Sequence, residues 1–588
     1  NDDGSFRVAV DGAWTWFNDP RALFHNGALY VGFVRMADGA SCVNAINTNT
    51  RTFATVLVSD RKQKDDHNNP ALLPLEDGRL MTFYCRHSID KYSQYCTSLT
   101  TTPATAVDWD SWKDSQVFTS SAVSYQNPYQ LSVENGRIYN FFRDQGWDPC
   151  FITSDDLGQT WSTSNYLINA GNTNVRPYVK YASNYKDRID VLYTDDHPKP
   201  TQNSLYHFYI KGGKIYKTDG TTLKTAANPA IERTLANLPI LHDSGERGTV
   251  IYQYSDVTTT NYDNYIPGGR AWCSDIVYDK NGNPVCVFSV QLKKTSQSSN
   301  ADWDQSREFY YYARFDSTTN QWKKRLIAYG GRPLYNDQQH YSGNIALDPE
   351  NPDIVYISTN AALPFALTVD LAPTNFYQSI PLAENARYEI WRGALTDEAD
   401  AAGDIAFDWT PMTQNSIKDN FRPYVPRNSP YAESLVYFYG TYTTYTNFST
   451  EVRGIFKNKK QSFADWVTDQ GLTGNDALPD ADPGEIGITN LVAYAFGITP
   501  GESLSEIEQA KLPCMGKTAD GEPAFRFEKN TALPDIDYVV QTSTDLKNWE
   551  DTASVVESTD VYIEKCIVAP VISGSEDRRF FRVKIIQK

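Results

Sequence analysis

From Phe6 to about residue 458 the chain alternates short apolar runs with turn residues. The runs GALYVGFV, GRLMTFYC, GRIYNFFR, RIDVLYT, NPVCVFSV, EFYYYARF, DIVYIST and SLVYFYG are rich in β-branched and aromatic side chains, and most begin at a Gly, Pro, Asp or Asn. The intervals between them are too short to hold helices, so the pattern predicts a repeating β-meander. One hairpin stands out: SDDLGQTW, residues 154–161, satisfies the pattern S-x-D-x-G-x-T-W at every fixed position. In that turn the Asp side chain caps backbone amides, the Gly takes a turn conformation and the Trp packs between sheets. Asp156 therefore reads as structural rather than catalytic. Near residues 457–461 (KNKKQ) the pattern changes. Short helical stretches are predicted around residues 462–470 and 488–496, on either side of the acidic run DALPDADPGEIG, and strands return in AFRFEKN, DYVVQTS and RRFFRVKI. The organisation expected is a repeat domain over residues 1–458, an acidic linker with short helices over 459–510, and a small β-sandwich-like module over 511–588.

Composition supports an all-β reading. The chain has 38 Tyr and 13 Trp but only 4 Met, which favours strands as the main element of burial. The formal charge is -18, so a surface for phosphate or nucleic acid is excluded on electrostatic grounds. Residues 459–588 hold 22 acidic and 13 basic side chains, half of that excess, and the repeat domain is free to carry a basic cleft for an anionic sugar. The acidic run from Asp476 to Gly484 lacks the spacing and final Glu of a calcium-binding loop and reads as solvated. Eight cysteines are scattered without a CxxC pair; Cys85/Cys96 and Cys273/Cys286 are close enough in sequence to bridge adjacent strands, and buried free thiols are the equal alternative. No apolar run reaches transmembrane length. The chain starts at Asn1, as after removal of a leader, and a secreted, periplasmic or cell-surface location is expected.

The densest polar cluster is KDDHNNPALLPLEDGRLMTFYCRH, with Asp65, Asp66, His67, Asn68 and Asn69 ahead of one strand and Arg86 and His87 at the end of the next. A hairpin returns the chain to the same end of a sheet, so His67 and His87 can share one face. Two of only seven histidines in one hairpin point to acid–base chemistry near neutral pH.

These segments, with AWTWFNDPRALFHNGALYVGFV, SYQNPYQLSVENGRIYNFFR, the hairpin at 154–161, VRPYVKYAS, TDDHP, NSLYHFYIKGGKIYKTDGT and YSGNIALDPENPDIVYIST, resemble the bacterial-neuraminidase-repeat propeller family. That family includes ulvan lyases, rhamnosyl-glucuronate lyases and an α-L-rhamnosidase group. The resemblance spans roughly residues 6–458 and implies a seven-bladed β-propeller acting as a polysaccharide lyase on a rhamnose- and uronate-containing glycan. By that resemblance the catalytic set is His67, His87, Tyr125 and Arg143, with Tyr129 competing with Tyr125 for the tyrosine position. Asn68, Arg176, Tyr178 and His197 are implied to line the same cleft, with Arg270, Arg422 and His340 as weaker candidates. Arg143 would neutralise the uronate carboxylate, and the histidines and tyrosine would share the acid and base roles. The expected partner is an anionic polysaccharide or oligosaccharide, the protein acting as a monomer, with no metal or cofactor needed for the chemistry. The alternatives are an α-L-rhamnosidase on the same scaffold and a glycan-binding propeller without activity.

Overall fold

The computed structural model of the chain describes residues 4–115, 122–144, 146–171, 175–199, 202–255, 265–292, 307–334, 340–362, 364–365, 387–396, 405–501, 503–518, 521–560, 563–568 and 579–588. Contacts divide it into two units, Asn1–Ser429 with Leu435–Ile455, and Pro430–Ser434 with Phe456–Lys588.

The first unit is a succession of antiparallel sheets. In chain order their strands run from Ala22–His25 to Thr52–Lys62, Ala71–Pro74 to Lys113–Asp114, Ser124–Leu131 to Asn165–Tyr166, Val179–Ser183 to Lys214–Lys217, Arg270–Tyr278 to Gln321–Gly331, and Ile345–Leu347 to Phe407–Pro411. A last sheet combines Asp419–Tyr424, Tyr431–Thr444 and Asn447–Lys459 with the N-terminal strand Phe6–Ala9, where Phe6 pairs with Gly454. The two ends of the unit are thus tied in one sheet, which joins the first and last repeats. All eight apolar runs read from the sequence are strands, and each sheet contains one as its second strand. A second strand has neighbours on both sides and packed faces above and below, so apolar residues dominate its sequence.

The first strands of successive sheets, such as Ala71–Pro74 and Ser124–Leu131, or Arg270–Tyr278 and Ile345–Leu347, pack on one another. Apolar side chains of neighbouring sheets then fill the space between them: Met81 and Phe83 share a core with Ile138, Ile152 and Trp161. Trp161 belongs to the hairpin at 154–161 and meets Phe83 and Tyr95 edge to face. In that turn Asp156 accepts hydrogen bonds from the Thr160 amide and hydroxyl, and Gly158 takes a φ of +84°, so the turn is structural as expected.

The second unit holds a four-stranded and a three-stranded sheet. Phe525, Phe527 and Val568 of one sheet pack with Val540, Phe581 and Val583 of the other. The helices Phe463–Asp469 and Asn490–Phe496 coincide with the predicted stretches, the first opening on a Ser462–Asp465 capping box. Their Phe463, Trp466, Tyr494 and Phe496 join Leu533, Ile536 and Ile585 in one core. Residues 459–510, expected as a linker, therefore contribute to a packed unit, because their apolar residues fall on helix faces that the sheets cover. All eight cysteines are free and all but Cys514 are buried. The disulfides considered from spacing do not form: Cys96 lies opposite Thr82, and Cys286 opposite Ile276.

Candidate active site

Local sequence builds the histidine turn. Asp65, extended at φ -157°, caps a single turn over Asp66–Asn68, its carboxylate accepting from the His67 amide at 3.0 Å. Pro70 prevents the turn from continuing. Buried Asn18 clamps it from outside by donating to the carbonyls of His67 and Asn69 at 2.9 and 2.8 Å, and the Asp66 amide donates to the Tyr445 carbonyl. His87 follows the strand Leu80–Tyr84, and its amide donates to the Asn68 side-chain oxygen at 2.7 Å. Asn68 also donates to the Gln63 carbonyl, so it aligns the two histidine segments rather than facing a ligand.

The result is a stacked histidine pair on one carboxylate. The imidazole rings lie 4.2 Å apart at an interplanar angle of 7°. Both Nδ1 atoms meet Asp65, that of His67 on Oδ1 at 2.7 Å and that of His87 on Oδ2 at 2.9 Å. His67 Nδ1 is also 2.9 Å from Asp66, whose other oxygen pairs with Arg422 at 2.5 Å and accepts from the Tyr442 hydroxyl at 2.6 Å. Burial disfavours charge on His67, but the carboxylates of Asp65 and Asp66 outweigh it and push its pKa up to about 10. Burial and the adjacent His67 cation push that of His87 down to about 4. At neutral pH the pair is one imidazolium beside one neutral imidazole, whose Nδ1–H bond to Asp65 leaves the Nε2 lone pair available.

Arg143, at the end of the strand Arg137–Asp144, faces this pair. Its guanidinium carbon stands 4.7 Å from the Tyr125 ring centroid, 4.9 Å from Trp147 and 5.4 Å from Tyr178. It is buried, and its Nε and Nη1 have no hydrogen-bond partner among the described residues. Aromatic faces offset part of the desolvation cost of such a cation, and an anion would offset the rest. Tyr125 sits at the register shift of its strand with φ +69°, which turns its ring toward His67 at 5.5 Å. Burial and a charge on Tyr178 raise the Tyr125 pKa well above the ordinary phenol value, so Tyr125 keeps its proton. In Tyr178 burial is outweighed by the guanidiniums of Arg143 and Arg176, and its pKa falls below the ordinary value.

The structure brings His67, His87, Tyr125, Arg143 and Tyr178 together. His197 joins them at the far side of Tyr178, 5.2 Å from its ring, with the His340 ring 4.1 Å beyond. Arg176 is half-buried and acts on Tyr178 by charge. Tyr129, the competitor to Tyr125, is not in the site. Its fully buried ring belongs to the core between two sheets and its hydroxyl donates to the Tyr181 carbonyl at 3.0 Å. Past the register shift, regular alternation turns Tyr129 into that core. Arg270 donates to the carbonyls of Pro198 and Lys199, and Arg422 serves Asp66. Sequence reasoning missed the bridging role of Asp65, for which the doubled Asp before His67 was a signal, and the Trp147 ring. The Tyr445 ring, which meets His67 at 5.1 Å and His87 at 6.2 Å, lies in the run TYTTYTNF, an aromatic-rich loop of the kind that stacks on sugar rings. Asp65, His67 and His87 also offer ligand atoms within 4.8 Å of one another, among the described residues. Both Nδ1 atoms already serve Asp65 there, so an ion would have to displace those hydrogen bonds.

A sheet-repeat scaffold carrying a histidine pair opposite a guanidinium with no carboxylate partner among the described residues defines an all-β protein of repeated four-stranded sheets with a candidate acid–base site. The chain belongs to the BNR repeat-containing family, whose model matches residues 28–329. No curated protein matches it. Among solved structures, the one described as a new family of polysaccharide lyase, PL25 ulvan lyase, bound to -[GlcA(1-4)Rha3S]-, shares its fold. The TM-score is 0.51 at 14% identity, covering 76% of this chain and 94% of that one. A second structure, described as a new family of polysaccharide lyase, PL25 ulvan lyase, matches at the same TM-score, identity and coverages. The polysaccharide lyase Uly1 aligns at a TM-score of 0.43 and 10% identity, over 77% of this chain and 97% of its own.

Proposed function

We propose that the chain is a secreted polysaccharide lyase, a seven-bladed β-propeller with a β-sandwich-like accessory module, that cleaves a rhamnose- and uronate-containing glycan by β-elimination. The observation that carries this reading is Arg143, a buried guanidinium stacked on rings and paired with no carboxylate among the described residues. A planar carboxylate is its natural bidentate partner. Elimination at a uronate needs that pairing, because removal of the C5 proton places a second negative charge beside the carboxylate.

In this reading the His87 Nε2 lone pair takes the C5 proton. The electron pair of the C5–H bond becomes the C4–C5 double bond, the C4–O4 bond breaks, and O4 takes the Tyr125 hydroxyl proton. Arg143 and the His67 imidazolium stabilise the dianionic intermediate, and Arg143 holds the Tyr125 phenolate until it is reprotonated from solvent.

The test is incubation with ulvan, chosen because the solved lyase of like fold was captured with a glucuronate–rhamnose sulfate unit. Ultraviolet absorbance from a 4,5-unsaturated uronate is the expected result. Free rhamnose without that absorbance would favour hydrolysis, and binding without turnover would favour a glycan-binding protein. The pH profile of kcat/KM is expected to be a broad plateau. Activity is lost as pH falls through about 4, where His87 gains a proton, and as pH rises through about 10, where His67 loses one. A single limb near pH 6.5, the ordinary histidine value, would rule out the split pair.

A further inference from the structure

The active-site groups form a row: the Tyr445 ring, His67, Tyr125, the Arg143 guanidinium and Trp147, with successive separations of 5.1, 5.5, 4.7 and 4.9 Å. Along the row, exposure is concentrated at the ends. Tyr125, Arg143 and the flanking Tyr178 are at most 7% exposed, whereas Tyr445 and Trp147 are only half-buried. The cavity bounded by Phe17, Tyr125, Asn127, Arg143 and Tyr178 has about 20 Å³ of room, enough for a single water. A sugar ring is too large for that cavity, and the half-buried rings of Tyr445 and Trp147 are the faces of the row open to one.

The backbone at each end holds its ring there at a cost or with a purpose-built tie. Trp147 has a φ of +80°, directly after Gly146 at +82°, and the left-handed region is unfavourable for so bulky a residue. Such strain persists where the surroundings enforce it, and it gathers at ligand sites. Tyr445 is anchored through its carbonyl, which accepts from the Asp66 amide at 2.8 Å, so its side chain carries none of that tie. We infer that Trp147 and Tyr445 are sugar-stacking platforms that bind the pyranose rings on either side of the reacting uronate. The apolar faces of pyranoses stack on aromatic rings, and two platforms select a substrate that extends beyond the reacting residue in both directions. The inference rests on the site proposed above.

The test uses the full chain with Trp147→Gly and Tyr445→Ala. Glycine favours the backbone at residue 147, so Trp147→Gly is expected to keep or raise the melting temperature. On polymeric ulvan each variant is expected to raise KM at least tenfold, with the smaller part of the loss in kcat. On the shortest oligosaccharide that the wild type cleaves, either loss shrinks because one platform is then empty. A polymer KM within twofold of wild type in both variants, with both folded, would overturn the inference. Should the wild type release no unsaturated uronate, the lyase reading fails separately, and calorimetric binding of ulvan decides between the same two outcomes: a tenfold weaker Kd in the variants supports the platforms, an unchanged Kd rejects them.

Discussion

Replacing Arg143 by Ala is expected to lower kcat/KM on a uronate glycan about 10³-fold, or ~4 kcal/mol of transition-state stabilisation. Lysine is expected to recover only a small part, because a point charge cannot present the paired N–H groups that a carboxylate accepts. The melting temperature should stay within a few degrees of wild type. A buried guanidinium with no carboxylate among the described residues, held by the rings of Tyr125, Trp147 and Tyr178 and a hydrogen bond with Tyr178, adds little to the fold. Unfolding of Arg143→Ala, or full activity in it, would return Arg143 to a structural role and remove the main support for elimination.

Asp65→Asn should be nearly as damaging without removing any group that touches the sugar. The carboxylate accepts three hydrogen bonds, from the His67 amide and from Nδ1 of both histidines. An amide accepts with one atom and donates with the other, so it forces one imidazole into the opposite tautomer. If that is His87, the proton moves to Nε2 and the base is lost; loss of such a carboxylate partner costs a catalytic histidine roughly 10³- to 10⁴-fold in kcat. The change should fall on kcat, with KM close to wild type, since Arg143 is untouched. A second readout separates this from simple destabilisation. His67 would keep Asp66 but lose half of its anionic surroundings, so the alkaline limb should move below the wild-type value of about 10. An unchanged alkaline limb would mean that Asp65 does not set the charge on His67.

Much of this fold is legible along the chain because the second strand of each sheet is buried on every side. GRIYNFFR and NPVCVFSV carry runs of large apolar side chains, and they announce themselves. The first strands do not. Ser124–Leu131, SYQNPYQL, is buried along its whole length, yet half its residues are polar, because their partners come from elsewhere in the chain: Gln126 from Asn18, and Asn127 from the Phe17 carbonyl and Asn140. Such a strand reads as a loop until those partners are in place. The small helices of the second unit were legible for a different reason, a Ser capping box and a Gly stop that act within a few residues.

The active site divides along the same line. Proximity of His67 and His87 follows from one hairpin, and the resemblance of the flanking motifs carried Tyr125 and Arg143. The choice between Tyr125 and Tyr129 depended on a register shift that no local pattern announces. The sequence by itself determined which side chains could do acid–base work and which strands would carry them, since both rest on residue type and short-range periodicity. Only the tertiary structure decided which histidine holds the proton. His67 touches two carboxylates and His87 one, and Asp66 is in turn held by Arg422, a residue more than three hundred positions away. Protonation depends on distance and desolvation, and both exist only once the sheets have closed into one unit.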